Sequence, residues 1–353
     1  YNCSPVQGHG KDINLVGFGR DIDHSPALRR PVLYIQGIRE TIKMGIAVVI
    51  RTENLTKKYG DFVAVNNLNL EIYEGEIFGL LGPNGAGKTT TILMLMGMTE
   101  PTSGAAYIDG NLTTKDTLKI KKIVGYMPDR VGFYEDMTAR ENLRFTGRLN
   151  GLDEKSIEDR IDQLLERVGL KDAGNKKVGT FSLGMRQRLG IADTLMKDPK
   201  ILILDEPTHG LDPEGINEML NLILELARVD RRTILVSSHL LHQMQKICDR
   251  VGIFVRGELL AAGPISTLGE KVLAGQALTI EINVSPVDDK LLSLIKSIDD
   301  QVRVEVKDEN IVVESQKEIR KDLMKILYEN NYELLYLKQS GRDLDDIYSR
   351  YFA

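Results

Sequence analysis

The chain runs to 353 residues, with 46 lysines and arginines against 51 aspartates and glutamates and a net charge of -5 at pH 7. That length suggests two domains with ample material for a core, and the scattered Lys-Lys and Arg-Arg pairs leave no basic stripe for nucleic acid. Cys3 and Cys248 are far apart and lack metal-ligand spacing, which argues for a reducing compartment with Cys248 as a core thiol, and no apolar run approaches the ~18 residues of a membrane span.

Residues 1–43 are rich in Gly, Pro, Arg and Asp and show no sustained period of 2 or 3.6. Met44-Gly45 looks like a start, so residues 1–45 are expected to be a weakly ordered upstream extension. Gly17-Phe18-Gly19 within it is a fragment of a dinucleotide fingerprint without the third glycine. From Ile46 the pattern turns strand-like and then alternates strands with helices, the signature of an α/β unit expected over 46–268.

The first chemistry-bearing stretch is Gly82-Pro83-Asn84-Gly85-Ala86-Gly87-Lys88-Thr89-Thr90, which fits G-x-x-x-x-G-K-[ST] at every fixed position. It follows the apolar run Ile77-Phe78-Gly79-Leu80-Leu81 and precedes a segment of helical composition, so it joins a strand to a helix N-terminus. Glycines keep side chains out of the way while successive N–H groups and the helix dipole converge on phosphate oxygens. Lys88 is expected to reach the β and γ phosphates, and the Thr89 hydroxyl to ligate Mg²⁺.

Between 113 and 195 the pattern is mostly helical, with apolar stripes over 138–150 and 153–168 carried by Leu143, Ile157, Ile161, Leu164, Leu165 and Val168. This predicts a helical subdomain inserted in the α/β core. Strands resume at 201–204 and 233–237, and each ends in polar residues where ligands of open α/β sheets bind. Asp205 and Glu206 follow the first; there Asp205 would hold Mg²⁺ and Glu206 would orient or deprotonate an attacking water. His239, after the second, would complete the γ-phosphate contacts.

Beyond Gly263-Pro264 the character changes. Alternating Leu278, Ile280, Ile282 and Val284 predict a half-buried strand, and Asp308-Glu309-Asn310 between apolar runs predicts a hairpin. With helical stripes after the first strand and after the hairpin, the order is β-α-β-β-α-β, a small ferredoxin-like α+β domain over 277–353, closed by a helix from Gly341.

Taken together, the phosphate loop, Leu204-Asp205-Glu206-Pro207-Thr208, Gly210-Leu211-Asp212-Pro213 and Ser237-Ser238-His239 resemble the nucleotide-binding subunits of ATP-binding cassette (ABC) transporters over roughly 48–268. The most specific match is Phe181-Ser182-Leu183-Gly184-Met185-Arg186-Gln187-Arg188, at the place of the family signature. The resemblance implies a P-loop NTPase fold of ABC type, ATP and Mg²⁺ as ligands, and a head-to-tail dimer in which Ser182 and the Gly184 N–H face the γ-phosphate held by the other subunit. Tyr59 matches the position whose ring stacks on adenine.

Two departures from the family pattern stand out, one in the signature and one at Asp129. Leu183 and Met185 replace the third and fifth signature residues, a wording similar to drug, antibiotic and bacteriocin exporters of the ABC-2 type. Asp129, in Val124-Gly125-Tyr126-Met127-Pro128-Asp129, stands where family members commonly carry a Mg²⁺-touching Gln, which puts its metal role in doubt. The implied partners are an ABC-2 integral membrane permease and a second ATPase subunit, identical or not, at the cytoplasmic face of the cell membrane, with no nucleic acid expected. The alternatives are a soluble cassette ATPase serving as a nucleotide-dependent regulator or acting on a ribosome or nucleic-acid target.

Overall fold

A computed structural model describes residues 46–265, 268, 278–307 and 310–340. The expectations for 1–45, for the turn residues Asp308-Glu309 and for the closing helix from Gly341 lie outside the described residues. In chain order the elements of the first part are β1 (Val48–Tyr59), β2 (Phe62–Tyr73), β3 (Ile77–Leu81), α1 (Lys88–Leu95), β4 (Ser103–Ile108), β5 (Asn111–Leu112), α2 (Thr117–Ile123) and β6 (Val124–Met127). They are followed by α3 (Ala139–Leu149), α4 (Glu154–Arg167), α5 (Leu183–Leu195), β7 (Ile201–Asp205), α6 (Pro213–Arg228), β8 (Thr233–Ser238), α7 (Leu241–Ile247), β9 (Arg250–Val255) and β10 (Glu258–Pro264).

Two sheets result. The larger has the order β10-β9-β3-β8-β7-β6, parallel except for the edge strand β10, and the smaller is antiparallel in the order β2-β1-β4-β5. In the larger sheet both faces are covered, which is why β3 and β7 read as continuous apolar runs. Successive side chains still point to opposite faces. Phe78, Leu80, Ile201, Ile203 and Leu235 pack with Ile50, Leu68, Ile72, Ile92 and Leu95 on one side. Ile77, Leu81, Leu202, Leu204, Ile234 and Val236 pack with the helices on the other.

The helical part begins later than the sequence pattern suggested. α2 and β6 belong to the α/β core, because β6 pairs in parallel with β7 through Val124–Ile201 and Met127–Leu204. The inserted helices therefore gather between 139 and 195, narrower than the expected 113–195. α3 starts at a capping box, in which Thr138 Oγ1 accepts from Glu141 N and the Glu141 carboxylate accepts from Thr138 N; α4 is capped by Asp153. Leu143, Ile157, Ile161, Leu164 and Leu165 are buried together, as the stripes required.

The last part comprises β11 (Leu278–Ser285), α8 (Asp289–Lys296), β12 (Arg303–Lys307), β13 (Asn310–Ser315), α9 (Arg320–Glu329) and β14 (Glu333–Ser340). Its antiparallel sheet has the order β12-β13-β11-β14, the arrangement expected of a β-α-β-β-α-β unit, with its own core of Ile280, Ile282, Leu291, Ile295, Ile311, Val313, Leu323 and Leu327. Among the described residues no helix is long and apolar enough to cross a membrane.

Ile161 is fully buried on α4, so Ile161→Ala should cost about 2–5 kcal/mol of stability from lost transfer energy and cavity formation. Urea unfolding followed by circular dichroism should show a lower midpoint with an unchanged slope; an unchanged midpoint would contradict the packing.

Candidate functional site

The carboxyl ends of β3, β7 and β8 meet at one place, and the loop after β3 is shaped by what surrounds it. Gly87 has φ +106, and a Cβ there would lie 2.4 Å from the Ala64 carbonyl oxygen, so no other residue fits the turn into α1. Gly85 has φ +79 with open space where a side chain would stand, which leaves the backbone exposed to the cleft. The loop is tied from behind, since Gly257 N donates to Ala86 O (2.9 Å) and Gly82 N to Ser238 O (3.2 Å).

Lys88 is only 5% exposed. Its Nζ donates to the Gly82 carbonyl (2.6 Å) and the Pro83 carbonyl (3.2 Å), and lies 3.2 Å from Glu206 Oε1. That last approach lacks hydrogen-bond geometry, so Oε1 is a buried carboxylate oxygen with an ionic neighbour and no donor. The other oxygen, Oε2, is 2.9 Å from His239 Nδ1. Glu206 itself adopts φ +50, and the strained backbone is held by its N–H to Ser237 Oγ (3.1 Å) and by His209 N–H to its carbonyl (3.0 Å).

Asp205 is 1% exposed beneath this group. Burial raises its pKa above the ordinary carboxyl value, hydrogen bonds from Ser237 and Thr89 oppose the rise, and the neighbouring Glu206 charge adds to it. Tyr126 is pushed up to about 12 by burial, then by the charges of Asp205 and Asp129.

The cleft above them, about 360 Å³, brings together the expected Tyr59, Asn84, Gly85, Ala86, Gly87, Lys88, Thr89, Thr90, Asp129, Glu206 and His239. Tyr59 stands at the tip of the β1–β2 hairpin, paired in register with Phe62, and Lys57 Nζ lies 4.9 Å from its ring centroid. Ser182 and Gly184 are elsewhere: they line a second cleft of about 520 Å³ with Arg188, Leu211, Asp212 and Glu218. There Ser182 caps α5, its Oγ accepting from Met185 N at 3.3 Å.

Sequence reasoning did not single out Ser237, whose hydroxyl bridges Asp205 and the Glu206 N–H, although it lies in the quoted Ser237-Ser238-His239 run. It also passed over Phe62 and His209, which line the cleft. Among the described residues no three His, Cys, Asp or Glu side chains could hold a metal by themselves. A cation here would draw on Thr89, Asp205, phosphate oxygens and water, which suits Mg²⁺.

The family described as ABC transporter matches residues 65–209. The bacitracin transport ATP-binding protein BcrA of Bacillus licheniformis is 40% identical over 304 residues, covering 86% of this chain and 97% of that protein. The linearmycin resistance ATP-binding protein LnrL of Bacillus subtilis (strain 168) is 37% identical over 71% of this chain and 79% of its own length. Among solved structures, an ATP-binding subunit of an ABC transporter superposes with TM-score 0.58 at 30% identity, over 63% of this chain and 92% of its own. A dimeric ATP-binding cassette in a post-hydrolysis state with ADP and Pi does so with TM-score 0.56 at 27% identity, over 61% and 98%.

Because the Asp205 pKa is raised in the fold, the stability it contributes is complete below its unfolded value of ~3.9 and is lost as pH rises through the higher native value. In nucleotide-free protein with EDTA, Asp205→Asn should raise the melting temperature at pH 7 and change it less near pH 4. A lower melting temperature for the variant at pH 7 would contradict the electrostatic account.

Proposed function

Since the chain belongs to the ABC transporter family of ATP-binding, ATP-hydrolysing subunits, we propose that it is the motor of an ABC-2-type exporter, closing as a dimer on ATP to drive a separate membrane permease. The observation that carries this is the division of the expected site residues between two clefts: Lys88, Thr89, Glu206 and His239 in one, Ser182 and Gly184 in the other. A single chain holds each half-site apart, so a head-to-tail pair is the arrangement that joins them. The dimeric ADP- and Pi-bound cassette supports that arrangement.

Within the first cleft the geometry and the family resemblance support the following roles. Lys88 and the loop N–H groups meet the phosphate oxygens, and Tyr59 offers a ring face to the base. Mg²⁺, when bound through Thr89 and Asp205, neutralises charge that develops on the phosphoryl oxygens. His239 holds one oxygen of Glu206 at 2.9 Å; the other, now buried 3.2 Å from Lys88 Nζ, would orient a water and accept its proton once Lys88 turns to the phosphates. From the partner, the N-terminus of α5 at Ser182 presents backbone donors to the same anion. Catalysis is mostly positioning and electrostatics.

The permease, the ABC-2 type, the export direction and a place at the cytoplasmic membrane face rest on the relatives, two of which are named for antibiotic transport and resistance. Either two copies of this chain or this chain and a second ATPase form the pair. The C-terminal domain over 277–353 is proposed as an accessory of the dimer, and no nucleic acid partner is invoked.

Glu206→Gln should lower the steady-state ATPase rate by about 100-fold or more, the span of general-base contributions, while the protein elutes as a dimer with Mg-ATP. Adding Ser182→Arg should return it to a monomer. Undiminished hydrolysis in the first variant, or an intact dimer in the second, would refute the proposed clasp.

A further inference from the structure

Asp129 has a partner that no motif assigns. His209 Nδ1 lies 2.7 Å from Asp129 Oδ1, across 80 residues of sequence. Asp129 follows β6 on the path to α3, whereas His209 follows β7 on the path to Asp212 and α6. Both line the cleft that holds Lys88 and Glu206. The His209 ring stands edge-on to His239, centroids 6.3 Å apart, and its backbone N–H donates to the Glu206 carbonyl at 3.0 Å.

The charges explain why such a partner matters. Around His209 stand Asp129, Glu206 and His239, with Asp205 and Tyr126 behind them and Lys88 against Glu206. Asp129 thus adds a second carboxylate to the lining of a cleft whose buried ammonium is already shared by Glu206 and two carbonyls, with Asp205 buried beneath. A triphosphate brings further negative charge, and a like charge left loose beside it opposes binding. An ionised carboxylate can only accept, so the contact is an Nδ1–H donation, available to a neutral or a protonated ring.

We propose that His209 is a positioning residue that pins the Asp129 carboxylate in this hydrogen bond, meets part of its charge, and so lets a cleft lined by two carboxylates, with a third buried beneath, admit nucleotide. The proposal rests on the nucleotide-binding reading of the cleft given above. It places Asp129 in a pair with His209 rather than among magnesium ligands.

The test is equilibrium binding of a fluorescent ATP analogue, once in EDTA and once with Mg²⁺, to the full chain and its variants. His209→Ala should weaken binding about three- to fivefold in both conditions, the upper scale of an ion pair whose partners are 55% and 38% exposed. His209→Gln keeps a donor and should bind within about twofold of the parent, a rescue a purely steric role does not give. Asp129→Asn should bind no more weakly than the parent, and combined with His209→Ala it should restore affinity, because no bare carboxylate remains. Parental affinity in His209→Ala, or a double variant as weak as His209→Ala alone, overturns the proposal, as does an Asp129→Asn defect seen only with Mg²⁺. Lys88→Ala separates the two ideas: if it binds as tightly as the parent, the cleft is not the nucleotide site and the underlying reading fails instead.

Discussion

The ammonium of Lys88, buried between two backbone carbonyls and the Glu206 carboxylate, is the contact on which the site's electrostatics depend. Taking either group from water alone is costly, and removing one partner of a buried pair typically costs about 3–5 kcal/mol because the other charge is stranded. The pair is also incomplete as a hydrogen-bonding unit, since Glu206 Oε1 has no donor. The ammonium is held by the two carbonyls, while its approach to the Glu206 oxygen is ionic only, so the carboxylate oxygen is the group free of a directional tie. Asp205 below them is raised in pKa by the same burial and partly relieved by Ser237 and Thr89.

Rigidity comes from the sheet. β3, β7 and β8 alternate their side chains between two cores, so a shift of one residue in any of them would misplace both sets at once. Their carboxyl ends are thereby fixed, and with them the positions from which Lys88, Asp205, Glu206 and His239 depart. The left-handed Glu206 backbone, a strain of about 1–3 kcal/mol, persists because Ser237 and His209 hold it from both sides.

Much of this was legible in the chain because the signals are local. The phosphate loop and the Ile201-Leu202-Ile203-Leu204-Asp205-Glu206 run each carry strand, turn and chemistry within a few residues, and the β-α-β-β-α-β order follows from strand alternation, a hairpin signal and two helical stripes. What escaped depends on packing between distant segments. The four-residue strand β6 is too short, and broken by Gly125, to stand out from the helical pattern around it. The structure shows why glycine is there: a Cβ would lie 2.5 Å from Thr194 Cγ2 of α5. The Asp129–His209 contact was invisible for the same reason, since neither neighbourhood announces the other. The roles of Ser182 and Tyr59 came from family resemblance, not from any physical signal in their own spacing.

The loop after β7 is where these threads join. Glu206 and His209 face the first cleft, while Gly210, Leu211 and Asp212, the residues that follow, line the second together with Ser182 and Gly184. Asp212 then caps α6, accepting from Gly215 N at 2.8 Å, which anchors the far end of the loop to a helix. His209 adds a lateral tie through Asp129 to the stretch leading into the inserted helices. A short, doubly anchored segment between the two clefts has few ways to move at one end without moving at the other. In the proposed dimer, that contiguity would give occupancy of the Lys88 cleft a physical route to the Ser182 surface.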